Sequence, residues 1–265
     1  MLNLQVIEIN PSLYLLKDPF DVNAFLIVGE KKALLFDTGY GICDYEAAVR
    51  EITSKPLTVV LGHGHLDHAG GAYQFEKVYL REPDFELCRE HTDAGIRSDV
   101  ITRIKKASIE INFDADEWIN CGKCNPIPLD INTVFELGNL NVEVIDMAGH
   151  TGGSIGLLLC EQRILLDSDS ANTHCWMFVP QSLSVREYIN MLKRVKELDF
   201  DVFYVAHQDF AHDKSFFDKF IHVAENASIE KAVPYDNWPD YDPYIYTEDN
   251  CSIVVNERTL NGGLL

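Results

Sequence analysis

The chain has 265 residues, 46% of them hydrophobic and 24% charged, proportions that fit a folded globular protein and exclude a disordered, collagenous or coiled-coil chain. Its 22 basic and 42 acidic residues leave a net charge of −20, a field that repels phosphate backbones and anionic bilayers, so neither nucleic acid nor a membrane is an expected partner. No apolar run reaches the roughly 18 residues of a membrane span, the N-terminus MLNLQVIEINPSLYLL alternates like a strand rather than a signal peptide, and the seven cysteines are scattered, so the chain reads as cytoplasmic with its thiols reduced.

Short β-rich runs open the chain: LQVIEI (4–9), SLYLLK (12–17), NAFLIVG (23–29) and KALLFDTG (32–39). CDYEAAVREIT (43–53) has helical spacing with Asp44 as its cap, and LTVVLG (57–62) is apolar enough for a buried strand. From 82 to 120 the chain becomes more polar and helical, which predicts an insertion or lid at about 82–125, ending in the loop CGKCNPIPLD. Strands return in TVFELG (133–138), LNVEVIDM (140–147), GSIGLLLC (153–160) and RILLDS (163–168). SVREYINMLKRVKEL (184–198) is an amphipathic helix whose Ser184 and Glu187 stand at capping-box spacing. DVFYVAH (201–207) is a further buried strand and DKSFFDKFIHVAENASI (213–229) a further helix. A C-terminal extension at about 230–265 is rich in Pro, Asp and Tyr. The order gives two similar βα halves with no linker between them. It predicts one α/β (α+β) domain over 1–265, built as two sheets with helices on their outer faces.

The sharpest chemical feature is His63-Gly64-His65-Leu66-Asp67-His68, directly after the apolar run LTVVLG. In extended chain, residues two apart point the same way, so His63 and His65 converge on one ion. The chain then bends near Gly70 and Gly71, and Asp67 and His68 face a neighbouring position. Imidazole nitrogen and carboxylate oxygen are both good zinc ligands. Single polar residues close four other strands: Asp37 in FDTG, His150 in MAGHTGGS, Asp169 in LLDSDS and His207 in VAHQD. Strand ends are where sites gather in layered α/β folds.

HGHLDHAGG, GHTGGS, Asp169 and His207, with FDTG upstream, together resemble the metallo-β-lactamase-fold superfamily of metallohydrolases over about residues 23–212. The resemblance implies a four-layer αββα sandwich of two mixed sheets with outer helices, and a binuclear metal site at one sheet edge. By position, His63, His65 and His150 would hold one metal, and Asp67, His68 and His207 the other. Asp169 would bridge them, chosen by the spacing of the family's pattern, with Asp167 two positions earlier as the alternative. Asp37 would lie behind these ligands and orient one of them. Two divalent ions are implied, Zn2+ by expectation, with Fe or Mn as alternatives. Such a pair shares a water and acidifies it to hydroxide, the expected nucleophile, while Asp67 ligates and can also accept a proton.

The expected activity is hydrolysis of a small-molecule ester, lactone or thioester, within the lactonase and thioesterase branches. The alternatives are a mononuclear iron dioxygenase acting on a sulfur substrate and a metal-binding scaffold without turnover. A homo-oligomer is left open. The segment SANTHCWMFVP (170–180) is the expected pocket wall, with His174 and Trp176 as candidates, and His212 as another residue that could touch substrate. A second set, Cys88, His91, Cys121 and Cys124, has ligand types suited to a structural zinc, against a redox CxxC or plain thiols.

Overall fold

The computed structural model describes residues 2–106 and 110–262. In chain order the first half comprises β1 (Gln5–Asn10), β2 (Leu13–Lys17), β3 (Asn23–Val28), β4 (Ala33–Phe36), α1 (Tyr45–Ile52), β5 (Leu57–Val60), α2 (Leu66–Ala69), β6 (Tyr79–Leu80), α3 (Phe85–His91), α4 (Ala94–Lys106), α5 (Ala115–Ile119) and β7 (Ile127–Pro128). The second half comprises β8 (Val134–Glu136), β9 (Asn141–Asp146), β10 (Ile155–Leu159), β11 (Ile164–Asp167), β12 (His174–Trp176), α6 (Val185–Lys196), β13 (Val202–Tyr204), β14 (His212–Asp213), α7 (Phe216–Asn226), β15 (Val233–Pro234), β16 (Tyr244–Glu248), β17 (Cys251–Val255) and α8 (Glu257–Leu260).

Two mixed sheets form the centre, one of seven strands in the order β1 to β7 and one of six in the order β14-β13-β11-β10-β9-β8. Their inner faces share a core that includes Leu15, Phe25, Ile27, Phe36, Leu157 and Leu166. The outer face of the first sheet is covered by α1 and the α3–α5 insertion, and that of the second by α6 and α7. This is the expected αββα sandwich. Strands such as Ala33–Phe36 and Ile155–Leu159 are buried at every residue, which is why they read as continuous apolar runs. The predicted caps are formed: Asp44 accepts from Ala47 N, and Ser184 and Glu187 cap α6 reciprocally.

One element departs from the two-sheet expectation. A third sheet of four strands, β12-β17-β16-β15, joins the segment after Asp169 to the C-terminal extension, with β12 and β17 parallel. The extension is therefore an ordered wall rather than a loose tail. Among the described residues, no helix is long and apolar enough to cross a membrane.

Candidate metal centre

Strand β5 delivers the HGHLDH segment to the edge where both central sheets end. His63 Nε2 lies 2.9 Å from His65 Nδ1, and His150 Nε2 lies 2.9 Å from the same atom. The partners of the opposite ring nitrogens set the tautomers. His150 Nδ1 donates to the Trp176 carbonyl at 2.7 Å, and His63 Nδ1 donates to Ser168 Oγ at 3.1 Å. Their Nε2 atoms are then unprotonated lone pairs aimed at one point. Burial, together with the neighbouring imidazoles, pushes His63 and His65 well below the ordinary histidine pKa, so both stay neutral. Converging lone pairs repel one another unless a cation lies between them.

The next turn of chain is α2, which turns Asp67 and His68 to a second position. Asp67, His68, Asp169 and His207 gather there, each offering one ligand atom within 4.8 Å of the others. His68 Nε2 stands 3.4 Å from both Asp67 Oδ2 and Asp169 Oδ2, and His207 Nε2 stands 3.2 Å from Asp169 Oδ1. Asp169 Oδ2 also lies 3.9 Å from His150 Nε2, so this carboxylate stands between the two clusters. Asp167 is not brought there. Its fully buried side chain accepts from the amides of Ser170 and Ala171, and burial pushes its pKa up to about 7.

His68 Nε2 and Asp169 Oδ1 are buried without hydrogen-bond partners. Orphaned polar atoms of this kind are costly unless something fills the space between them. Two carboxylates and five imidazoles are a donor set for divalent metals, and the residues present fit such ions. Without a cation, protons must balance the carboxylates. Burial opposes charge on His207, but Asp169 lifts its pKa to about 9. Burial likewise opposes charge on His68, but Asp67, Asp169 and Asp37 lift it well above the ordinary value.

Asp37 holds this arrangement from behind. Its Oδ1 accepts from Gly62 N at 2.6 Å, and its Oδ2 accepts from His68 Nδ1 at 2.9 Å and Ser168 Oγ at 2.8 Å. The residue sits at φ +67°, a conformation that a non-glycine adopts only under constraint from its surroundings. Gly62 is required opposite it: a Cβ there would come within 2.5 Å of Ser168 Cβ.

Two residues of this support were not anticipated. Ser168 links Asp37 to His63, and its position inside LLDSDS was its only signal. Asp84, at the start of α3, binds Gly64 N, Gly153 N and Thr151 Oγ1, and nothing local in its sequence announces this.

Other expectations need correction. Cys88, His91, Cys121 and Cys124 do not form a four-ligand cluster. Among the described residues, the groups positioned to hold a metal are the two clusters above. Helix α3 turns Cys88 into the core toward Cys124, while the His91 ring stacks on His65 at 4.9 Å and lines the cavity over the two clusters. All seven cysteines are unpaired thiols. His212 is not at the cavity either: it is buried against Phe203, ring centroids 5.1 Å apart, and bonds to Gln208. His174 and Trp176 do line the cavity, which opens over the clusters beside α4 and the third sheet.

The family model described as the metallo-beta-lactamase superfamily matches residues 18–79. The chain is 25% identical to Acyl-coenzyme A thioesterase MBLAC2 of Bos taurus, over 66% of this chain and 67% of that one. It is 24% identical to Hydroxyacylglutathione hydrolase GloC of Haemophilus influenzae, over 53% of this chain and 61% of that one. Among solved structures, a metallo-beta-lactamase from Pontibacter korlensis superposes with a TM-score of 0.60 at 17% identity, covering 85% of this chain and all of the other. Motif, fold and similarity point the same way: the chain has the metallo-β-lactamase fold, and its residues 18–79 match the superfamily's model. The relatives of that similarity are named as hydrolases.

Proposed function

We propose that the chain is a binuclear metal-dependent thioester hydrolase acting on a small molecule. The convergence of two ligand clusters on a shared Asp169 carboxylate carries the binuclear reading. His63, His65 and His150 hold one ion, and Asp67, His68 and His207 hold the other. Zinc suits this nitrogen-rich donor set. The choice of thioesters over lactones and other esters rests on the similarity to proteins named as an acyl-coenzyme A thioesterase and a hydroxyacylglutathione hydrolase.

When bound, the ions supply Lewis acidity and a water acidified to near neutrality. The chain supplies the rest. Asp37 and the Trp176 carbonyl fix the rings of His68 and His150, so that their Nε2 lone pairs stay directed. Asp67, 23% exposed, faces the cavity. A carboxylate oxygen there takes the proton lost as water oxygen adds to the carbonyl carbon, and returns it to sulfur as the C–S bond breaks. The products are a carboxylic acid and a thiol. His91 and Trp176 wall the reacting carbon from bulk water.

The test is metal content and turnover together, on protein purified without added metal or chelator. About two zinc ions per chain and hydrolysis across a thioester panel are expected. About one iron per chain, with oxygen consumed in the presence of thiols, would overturn the proposal.

A further inference from the structure

The cavity extends well beyond the ligand clusters. Its volume is about 740 Å³, the scale of a site that encloses a whole small ligand. At its floor lie His65, Asp67, His150, Asp169 and His207. Its outer part is bounded by the insertion on one side and the third sheet on the other, two elements that contribute no metal ligand.

The chemistry of these walls is uneven. Ile96, Val100 and Ile104 stand four residues apart along α4, so they share one face. All three line the cavity and are only partly buried. Facing them are Trp176, Val179 and Trp238. The indoles of Trp176 and Trp238 pack edge to face, 6.0 Å between centroids. The Arg103 guanidinium lies over the Trp238 ring at 4.6 Å from its centroid, which ties α4 to the opposite wall.

Polar side chains on the same wall bond to the protein itself. His174 Nδ1 bonds to Ser252 Oγ at 2.6 Å, and Gln208 Nε2 donates to Thr173 Oγ1 at 2.8 Å. Tyr40, Asp99, Asn172 and Gln181 also line the cavity, so its apolar character belongs to the stretch between Ile96, Val100 and Ile104 and the facing indoles. An apolar chain leaves nothing unpaired.

Resting on the thioester hydrolase reading, we infer that the space between α4 and the Trp176–Trp238 pair is the acyl slot, and that the substrate's acyl group is a long aliphatic or aryl chain. The carbonyl carbon sits over the two clusters, and the chain runs outward between Val100 and the indoles. The Trp176 carbonyl accepts from His150 Nδ1, so the aromatic wall and a metal-ligating imidazole are held in one register.

The test uses two ligand series on the intact, metal-loaded chain. N-acetylcysteamine thioesters from acetyl to dodecanoyl report turnover. The matching S-alkyl thioethers cannot be hydrolysed and report binding by calorimetry. For the wild type, kcat/KM and thioether affinity should each rise roughly threefold per added methylene until the slot is full. Val100→Trp, which fills the slot, should bring the dodecanoyl value to within about threefold of the acetyl value. Trp238→Ala removes the far wall and should flatten the same dependence; it carries the test if Val100→Trp does not fold. Equal kcat/KM across the series, with thioethers bound no tighter as they lengthen, would overturn the acyl slot while leaving the hydrolase reading intact. Length-dependent thioether binding with no thioester turned over would overturn the hydrolase reading and keep the slot.

Discussion

One carboxylate oxygen of Asp84 accepts the Thr151 hydroxyl at 2.7 Å, and the same Oδ2 accepts the amide of Gly64 at 2.9 Å. Gly64 stands between His63 and His65, and Thr151 follows His150. A single buried carboxylate thus ties together the two loops that carry the three-histidine cluster. Asp84→Ala should weaken metal binding by about 10- to 100-fold, the usual effect of removing such outer support. Asp84→Asn, which keeps one acceptor, should lose less. A competition titration against a chromogenic zinc chelator reads both.

Metal loading should release protons. In the metal-free chain, Asp169 lifts His207 to about 9 against the pull of burial, and His68 lies well above its ordinary value. His207 therefore carries a proton at pH 7.5 and must lose it to coordinate, and the upward shift of His68 acts in the same direction. Calorimetry of zinc binding in two buffers of different ionisation heat should give about one to two protons released per chain. Affinity should fall as the pH is lowered, because protons compete for the same nitrogens. Equal heats in the two buffers would contradict this.

Asp169→Asn should separate the two positions. The three imidazoles of the first cluster remain, while the second loses the carboxylate that faces both His68 and His207. Metal content should fall from about two ions per chain to about one, and thioester turnover should drop by at least about 100-fold. Elemental analysis beside a steady-state assay distinguishes loss of metal from loss of fold.

Arg97 is fully buried, and carbonyls and rings surround its cation. Its Nη2 donates to the Gly70 carbonyl at 2.8 Å, its Nε donates to Thr92, and its guanidinium lies 4.9 Å from the Trp118 ring centroid. It fastens α4 to the turn that follows His68. Arg97→Ala should cost about 2–4 kcal/mol by leaving buried carbonyls unpaired, read as a Tm lower by about 5–10 °C. Arg97→Lys cannot reproduce the forked geometry and should fall between.

Asp18 offers a pH test away from the ligands. Burial raises it to about 6, despite backbone bonds from Val22 and Phe20 that favour its charge. Its folded pKa lies above its unfolded one, so its contribution is complete below about pH 4 and is lost as the pH rises through 6. Relative to Asp18→Asn, the wild type should gain up to about 3 kcal/mol between pH 7 and pH 4. Paired urea titrations of metal-free protein at the two pH values measure it.

The sequence was most readable where chemistry is dense and local. HGHLDH follows an apolar strand, and the order of His150, Asp169 and His207 after three further strands identifies residues that the fold does bring together. Supports that act across the chain were not readable. Asp84 reaches Thr151 over 67 residues, and Ser168 reaches Asp37 over 131. The third sheet escaped notice because β12 and β15 have three and two residues, too few to show a period. His91 looked like a partner of Cys88 because it stands three residues along. In the structure the cysteine packs into the core while the imidazole stacks on His65. His212 looked like a site residue only because it was a histidine near His207; the Phe203 ring claims it instead.

The pairing of β12 with β17 also sets an order of events. His174 meets Ser252 across 78 residues of chain, a closure that waits until β17 has left the ribosome. The strands that carry all seven residues of the two clusters lie upstream of β17 and can begin pairing while the ribosome is still at work. A nascent chain could therefore gather its ligands before it has walls to select a substrate. In refolding, recovery of metal binding should precede recovery of selectivity among acyl chains.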